Sequence, residues 1–214
     1  MQLNEISKTN PDWLTSFLCP VVADNFYFQR SVFNIENLRL DFKSSVEISH
    51  STSETKMNLT KAETTQLENI DPHHKIVNYV NCLLVQFSHT IFKHFRIRIE
   101  YINHDQCTLF HTDNVKLRLV QTLWGRSTEV IESKYANYNG IGKGRNELIV
   151  FNNELIKTVP KNHFILMKGS RWSDGFKGCI HKSPEIEIHK EFRLLIVIDF
   201  DEQPLRNHSG FCDV

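Results

Sequence analysis

The chain has 214 residues, 40% hydrophobic and 23% charged, and its 25 Lys and Arg balance 25 Asp and Glu. Those proportions exclude a chain disordered throughout, and the length suffices for a core of its own. Zero formal charge provides no general basic surface, so no nucleic-acid partner is expected.

The five cysteines, Cys19, Cys82, Cys107, Cys179 and Cys212, are scattered without a CxxC pair. That distribution reads as reduced thiols, not as a disulfide framework. The first residues show no basic segment followed by an apolar run, and no stretch reaches the roughly 20 apolar residues of a membrane-spanning helix. A cytoplasmic protein with no membrane partner is expected.

Residues 1–70 read as an N-terminal extension packing on the core, with short apolar clusters at Trp13-Leu14, Phe17-Leu18 and Val21-Val22. Within it, 44–66 is rich in Ser, Thr, Glu and Lys and reads as a mobile loop or an exposed helical stretch. Asp71-Pro72 then opens the clearest helix, because Asp caps well and Pro at the first helical position forfeits no hydrogen bond. Ile76, Val80, Leu83, Leu84, Phe87, Ile91 and Phe95 follow at helical spacing and predict an apolar face that covers the core. Left exposed, such a face would support a homodimer; monomer and homodimer both remain open.

After Phe95 the period becomes two. Ile97, Ile99 and Tyr101 alternate with Arg98 and Glu100, and Val115, Leu117 and Leu119 alternate with Lys116 and Arg118. Further strands are expected at 147–151, 163–168, 178–181 and 192–200. Between them, Gly140-Ile141-Gly142-Lys143-Gly144 reads as a rim loop, since no strand leads into it and no GK[ST] follows. The pattern predicts a mainly β fold with helical additions (α+β), in which 96–202 form an antiparallel sandwich or barrel within a unit spanning 71–214.

The segment Cys107-Thr108-Leu109-Phe110-His111-Thr112-Asp113-Asn114 precedes a strand. Residues two apart on an extended backbone share a face, so His111 and Asp113 can converge on one ion. A third ligand must come from elsewhere, and His181 is the best placed. Two His and one carboxylate leave open positions on an octahedral metal, which a bidentate cosubstrate and oxygen require. Arg193, at the start of the apolar strand 194–198, could pair its planar fork with a carboxylate of that cosubstrate. The residues alone leave another reading open: His111 caps a turn, Asp113 bonds its own loop, and His181 lies on the surface.

Four further residues are candidate pocket members. Arg118 is placed by alternation opposite Leu117 and Leu119. Lys168 ends an apolar strand, where it could bind an anion or snorkel to water. Cys179 could add a soft ligand, which would favour zinc over iron. Trp124 could wall a pocket. No Ser-His-Asp or Cys-His arrangement has a nucleophile elbow, so hydrolase chemistry is unsupported.

The run CTLFHTDNVKLRLVQTLWGRSTEV resembles the signature of an uncharacterised bacterial family, domain of unknown function 1826. Leu166-Met167-Lys168-Gly169 is similar to that family's LKG segment and Ile180-His181-Lys182-Ser183-Pro184 to its VHRSP segment. Phe192-Arg193-Leu194-Leu195-Ile196-Val197-Ile198-Asp199 is similar to its RLLLTLD strand. The resemblance covers about residues 95–200 and departs at Gly125-Arg126-Ser127, where members more often carry a Gly-Pro-Gly-like turn. Its pattern is similar in turn to the cupin and 2-oxoglutarate oxygenase group. The resemblance implies a double-stranded β-helix (a cupin-like jelly roll) with an N-terminal helical extension. His111, Asp113, His181 and Arg193 follow that group's order of metal ligands and cosubstrate-binding base.

The reading that follows is a metal-dependent protein of the 2-oxoglutarate–iron(II) oxygenase type, oxidising a small-molecule or protein substrate. One divalent metal is expected, iron(II) first and zinc as the alternative, with 2-oxoglutarate as cosubstrate. The alternative is a non-catalytic cupin-like protein that handles zinc or binds a ligand. The two differ at Arg193: facing the pocket it serves the oxygenase, whereas paired with Asp199 or Glu187 it is structural.

Overall fold

The computed structural model describes residues 14, 17, 18, 25–31, 46–51, 59, 75–87 and 90–203. The proposed helix start at Asp71-Pro72 lies outside them, as do Cys19, Cys212 and most of residues 1–70.

Nine strands are delimited among the described residues: β1 (Phe26–Arg30), β2 (Val46–Ser51), β3 (His94–Ile102), β4 (Leu117–Trp124), β5 (Glu129–Ile131), β6 (Lys157–Thr158), β7 (His163–Lys168), β8 (Ile180–Lys182) and β9 (Arg193–Asp201). They form a six-stranded sheet of order β1-β7-β4-β9-β3-β2 and a three-stranded sheet of order β6-β5-β8. Every pairing is antiparallel. One helix, α1 (Lys75–Gln86), is delimited among the described residues.

Strand β9 is the centre of the large sheet, and all nine of its residues are buried. Its alternation sorts two cores. Leu194, Ile196, Ile198 and Phe200 join Ile76, Val80, Leu83 and Leu84 of α1 in one cluster. Leu195 and Val197 join Val120, Val130, Ile165, Met167 and Cys179 in a second, towards the small sheet. A strand covered on both faces needs no polar alternation, which is why 194–198 reads as a continuous apolar run. Phe87 stacks on Phe200 with ring centroids 4.2 Å apart. The described fold is thus mostly antiparallel sheet with α1 across one face.

The described residues before Lys75 include two delimited strands, which are the two edges of the large sheet, and the helical residues Leu14, Phe17 and Leu18. Two expectations are corrected. The helical spacing through Ile91 and Phe95 overran its element. The Thr90 hydroxyl donates to the Phe87 carbonyl at 2.7 Å, Ile91 is 63% exposed, and β3 begins at His94. Pairing with β9 along all of β3 outweighs one more helical turn. Finally, 147–151 is no strand. It holds a 3-10 turn at Asn146–Leu148 and a single bridge from Ala136 to Val150. The apolar face of α1 is spent on the sheet, so it is not a free dimer surface.

Candidate metal centre

His111 and His181 are brought together by backbone. His111, outside the named strands, forms an isolated antiparallel bridge with His181 of β8, with both N–H···O bonds at 3.0 Å. Directly opposed residues project to one side of the ladder. Asp113, two residues beyond His111, joins them on that side. Its segment is fixed from behind: the Ser170 N–H and hydroxyl donate to the Asp113 carbonyl at 2.8 and 3.1 Å. Gly169 makes that approach possible, because a Cβ there would lie 2.1 Å from the Val115 carbonyl oxygen and 2.9 Å from that of Asp113.

The ligand-capable atoms of His111, Asp113 and His181 all lie within 4.8 Å of one another. His181 Nε2 is 3.1 Å from Asp113 Oδ2, and His111 Nε2 is 3.8 Å from Asp113 Oδ1. The two imidazole centroids are 4.4 Å apart. Each ring's Nδ1 contacts a backbone carbonyl two residues upstream, Leu109 at 2.9 Å and Cys179 at 3.2 Å. A carbonyl only accepts, so Nδ1 carries the proton and a neutral ring turns its Nε2 lone pair into the cluster.

Electrostatics agree. Burial, and then neighbouring His181, pull the His111 pKa down to about 4 against the pull of Asp113. Burial alone would raise the Asp113 carboxyl, but Arg118 foremost, with both histidines, holds it well below the usual carboxylate range. The group is an anionic oxygen facing the Nε2 atoms of two imidazoles whose Nδ1 sites are taken up by backbone carbonyls. Asp113 Oδ2 is buried and has no hydrogen-bond partner, although His181 Nε2 is close. A carboxylate oxygen and a ring nitrogen at that distance call for a proton or a cation between them. Ligands bound at about 2.1 Å and at right angles on one ion sit about 3 Å apart, which the 3.1 Å pair matches. The donor set therefore fits a divalent metal.

Arg118 faces this cluster. Its Nη1 donates to Asp113 Oδ1 at 2.7 Å. Its Nε and Nη2 grip Asp199 at 2.5 and 2.9 Å. Arg96 also donates to Asp199, at 2.9 Å. Burial would raise the Asp199 carboxyl, yet Arg118, Arg98 and Arg96 hold it low. Burial works against the Arg118 charge, but Asp113 and Asp199 more than offset it. Arg118 thus occupies one carboxylate oxygen of Asp113 and leaves the other for an ion.

Arg193 is 1% exposed and pairs with neither Asp199 nor Glu187. Its Nε donates to the Arg126 carbonyl at 2.8 Å, Nη1 to the Ser183 hydroxyl at 2.9 Å, and Nη2 to the Thr128 hydroxyl at 3.2 Å. Burial lowers its pKa to about 10, against the more distant Glu100 and Glu129. The groups that accept from this buried guanidinium are neutral, and Glu100 and Glu129 supply opposite charge only from farther away. Ser183 is two residues past His181, so this contact falls on the segment that carries one candidate ligand.

The other sequence candidates lie elsewhere. Lys168 is fully buried on the α1 side with Phe164 and Leu166, its Nζ 4.6 Å from the Phe17 ring centroid and 4.9 Å from that of Trp172. It neither snorkels nor enters the site. Trp124 is 56% exposed and stacks on Phe192. Cys179 is buried in the inter-sheet core, and burial, followed by the Asp113 charge, pushes its thiol well above the ordinary value. A protonated thiol outside the cluster is no soft ligand. Cys107 is disulfide-bonded, which corrects the expectation that the thiols are reduced; among the described residues Cys82 and Cys179 are free. No helix among the described residues is long and apolar enough to cross a membrane.

Sequence reading missed Arg96, Asp199, Thr128 and Ser183 as parts of the site. The signal for Arg96 was there: Arg96, Arg98 and Glu100 occupy one face of β3 between Ile97 and Ile99. Both faces of an interior strand are covered, so charges on one of them mark a polar cavity or a buried ion network.

A family model described as protein of unknown function (DUF1826) matches residues 25–199. No curated protein matches the sequence. Among solved structures, the chain is similar to a 2-oxoglutarate complex of dioxygenase for auxin oxidation 1 from Arabidopsis thaliana. That match has 14% identity and a TM-score of 0.45, over 79% of this chain and 67% of that one. It is also similar to a prolyl-4-hydroxylase of Pseudomonas putida, at 9% identity and a TM-score of 0.40, over 87% of this chain and 97% of that one. A third likeness is to a C-terminally truncated Neurospora crassa protein in apo form, at 15% identity and a TM-score of 0.39, over 73% of this chain and 62% of that one.

Proposed function

We propose that this chain, which belongs to the DUF1826 family of proteins of unknown function, is a metal-dependent oxygenase of the 2-oxoglutarate–iron(II) type. The observation that carries the reading is the orphaned, buried Asp113 Oδ2 beside two imidazoles whose lone pairs are turned towards it. The two antiparallel sheets, which pack on a shared apolar cluster, support reading the fold as a double-stranded β-helix.

His111, Asp113 and His181 would hold the metal by three protein atoms, leaving positions open for exchangeable ligands. When bound, iron(II) with a 2-oxo acid supplies oxidising power from dioxygen, coupled to loss of carbon dioxide from the 2-oxo acid. The chain's own part is to bind and orient. Arg193 holds a positive charge in a dry site, with Ser183 and Thr128 hydroxyls at its edge, and this suits the far carboxylate of a dicarboxylic 2-oxo acid. Arg118 holds Asp113 in one orientation, and the Leu109 and Cys179 carbonyls hold the ring tautomers. Apolar Val120, Val130 and Leu195 keep the inter-sheet space dry, which strengthens each charge inside it.

The test is anaerobic titration with iron(II) and then 2-oxoglutarate, followed by visible absorbance. A weak charge-transfer band is expected in the wild type. It should be absent in His111→Ala and need at least tenfold more 2-oxoglutarate in Arg193→Gln. No band, with tight stoichiometric zinc uptake instead, would replace oxygenase turnover by metal handling.

A further inference from the structure

A cavity of about 210 Å³ opens beside the candidate metal centre, and His111 is part of its wall. Its other sides come from Thr108 and Phe110 on the His111 segment and from Ile141, Arg145 and Ile149 on the loop that follows β5. The glycine-rich stretch expected to be a rim loop is that wall: Gly142 and Gly144 line the cavity.

Both walls are fastened to each other. Asn146 Oδ1 accepts from the Phe110 N–H at 2.8 Å, and Asn146 Nδ2 donates to the Thr108 carbonyl at 3.0 Å. The base of the loop is closed by Asn137, whose N–H donates to the Ile149 carbonyl and whose Nδ2 donates to that of Leu148, both at 2.9 Å. The cavity is therefore built by the fold and does not await a ligand to form it.

Its chemistry is selective. Phe110, Ile141 and Ile149 make the lining mainly apolar, and none of the lining residues is a carboxylate. The cation is Arg145, 69% exposed. Its Nε lies 3.8 Å from Glu147 Oε2, a carboxylate outside the lining, so a positively charged group in the cavity would meet Arg145 and no carboxylate of the wall. The volume equals about seven waters at roughly 30 Å³ each, so the occupant is small.

We infer that this cavity seats the reacting end of the substrate as a small, neutral, apolar group, set against His111 within reach of the metal. The inference rests on the oxygenase reading for its metal and adds to it the class of group presented there. A cationic group gains no carboxylate partner from the recess wall.

The probe is cyclohexanol, with cyclohexylammonium as the charged control, in solution with the full chain loaded with manganese(II) or with zinc(II). Saturation transfer from the protein to cyclohexanol is expected, at least tenfold stronger than to cyclohexylammonium. Manganese should relax the cyclohexanol protons several-fold faster than zinc does, beyond the effect of equal manganese held by a chelator. Both signals should be lost in Ile141→Trp and in Arg145→Trp, two independent plugs that should still take up one manganese. Absent transfer in the metal-loaded wild type overturns the inference, as does transfer that persists in both plugged variants. Equal relaxation with manganese and zinc overturns the placement beside the metal. Failure to take up manganese at all overturns the metal reading instead, and saturation transfer in the metal-free chain then still decides whether the recess binds the probe.

Discussion

His111 and His181 face each other across two backbone hydrogen bonds of 3.0 Å, and their imidazoles are thereby held 4.4 Å apart. The pairing that joins distant parts of the chain is the one that assembles the candidate metal ligands. Metal binding and closure of this bridge should therefore be linked: an ion that binds only the closed form stabilises it by mass action. Hydrogen exchange checks this. The amides of His111 and His181 should exchange at least tenfold more slowly when saturating zinc is added, and equal rates would break the link.

Arg118 and a bound ion do overlapping work for Asp113. Without metal, the guanidinium is the charge that compensates this buried carboxylate, at 2.7 Å, while also gripping Asp199. Removing one partner of a buried pair costs on the order of 3–5 kcal/mol. Arg118→Ala should lose about that much in the metal-free protein. The loss should be smaller with metal bound, because the ion then compensates Asp113. Chemical denaturation with and without cobalt(II) measures both; equal losses would show that Arg118 does not act on the metal ligand.

Protonation of His111 sets a stability window. Its ordinary pKa of 6.5 is lowered to about 4 in the fold, chiefly by burial. The unfolded chain therefore takes up this proton first as pH falls. The contribution is complete above about pH 6.5 and is lost on descending towards about 4, amounting to roughly 3 kcal/mol. Metal-free wild type should lose stability across that window, and His111→Gln should lose distinctly less. Parallel pH profiles for the two proteins would contradict the assignment.

Much of this architecture is legible in the residues because period two survives in β3 and because β7 and β9 are apolar runs of strand length. The short strands β5 and β6 have 3 and 2 residues and leave no period to read. Edge strands β1 and β2 draw their pairing from partners far along the chain, such as Phe26 with Met167. The His111–Asp113 spacing pointed to a shared face, and Arg118 was on the polar side of its alternation. Lys168 went astray because its place at a strand end suggested water, whereas it shares the face of Phe164 and Leu166 and lies under Phe17 and Trp172. The partners of Arg193 were hidden because Thr128 and Ser183 reach it only through the turn of the sheets.

Gly169 offers a test of the scaffold behind the ligands. A methyl group there would need the Val115 and Asp113 carbonyls to retreat, and such overpacking costs about 1–3 kcal/mol. Gly142, at φ +76°, has nothing within 4 Å of a built Cβ, so alanine there costs only the backbone preference of about 1 kcal/mol. Gly169→Ala should lower both stability and metal affinity, and Gly142→Ala should leave metal affinity unchanged. Equal metal affinities in the two variants would show that the Asp113 segment does not depend on this contact.

The most direct test of the account is spectroscopic titration of the metal-free protein with cobalt(II), in wild type and in His111→Ala, Asp113→Ala and His181→Ala. One equivalent should bind to the wild type with a single visible d–d spectrum, and each substitution should weaken binding by at least a hundredfold while the far-ultraviolet circular dichroism stays that of a folded chain. Cobalt binding that is absent from the wild type, or unaltered by all three substitutions, would contradict the assignment of the metal centre.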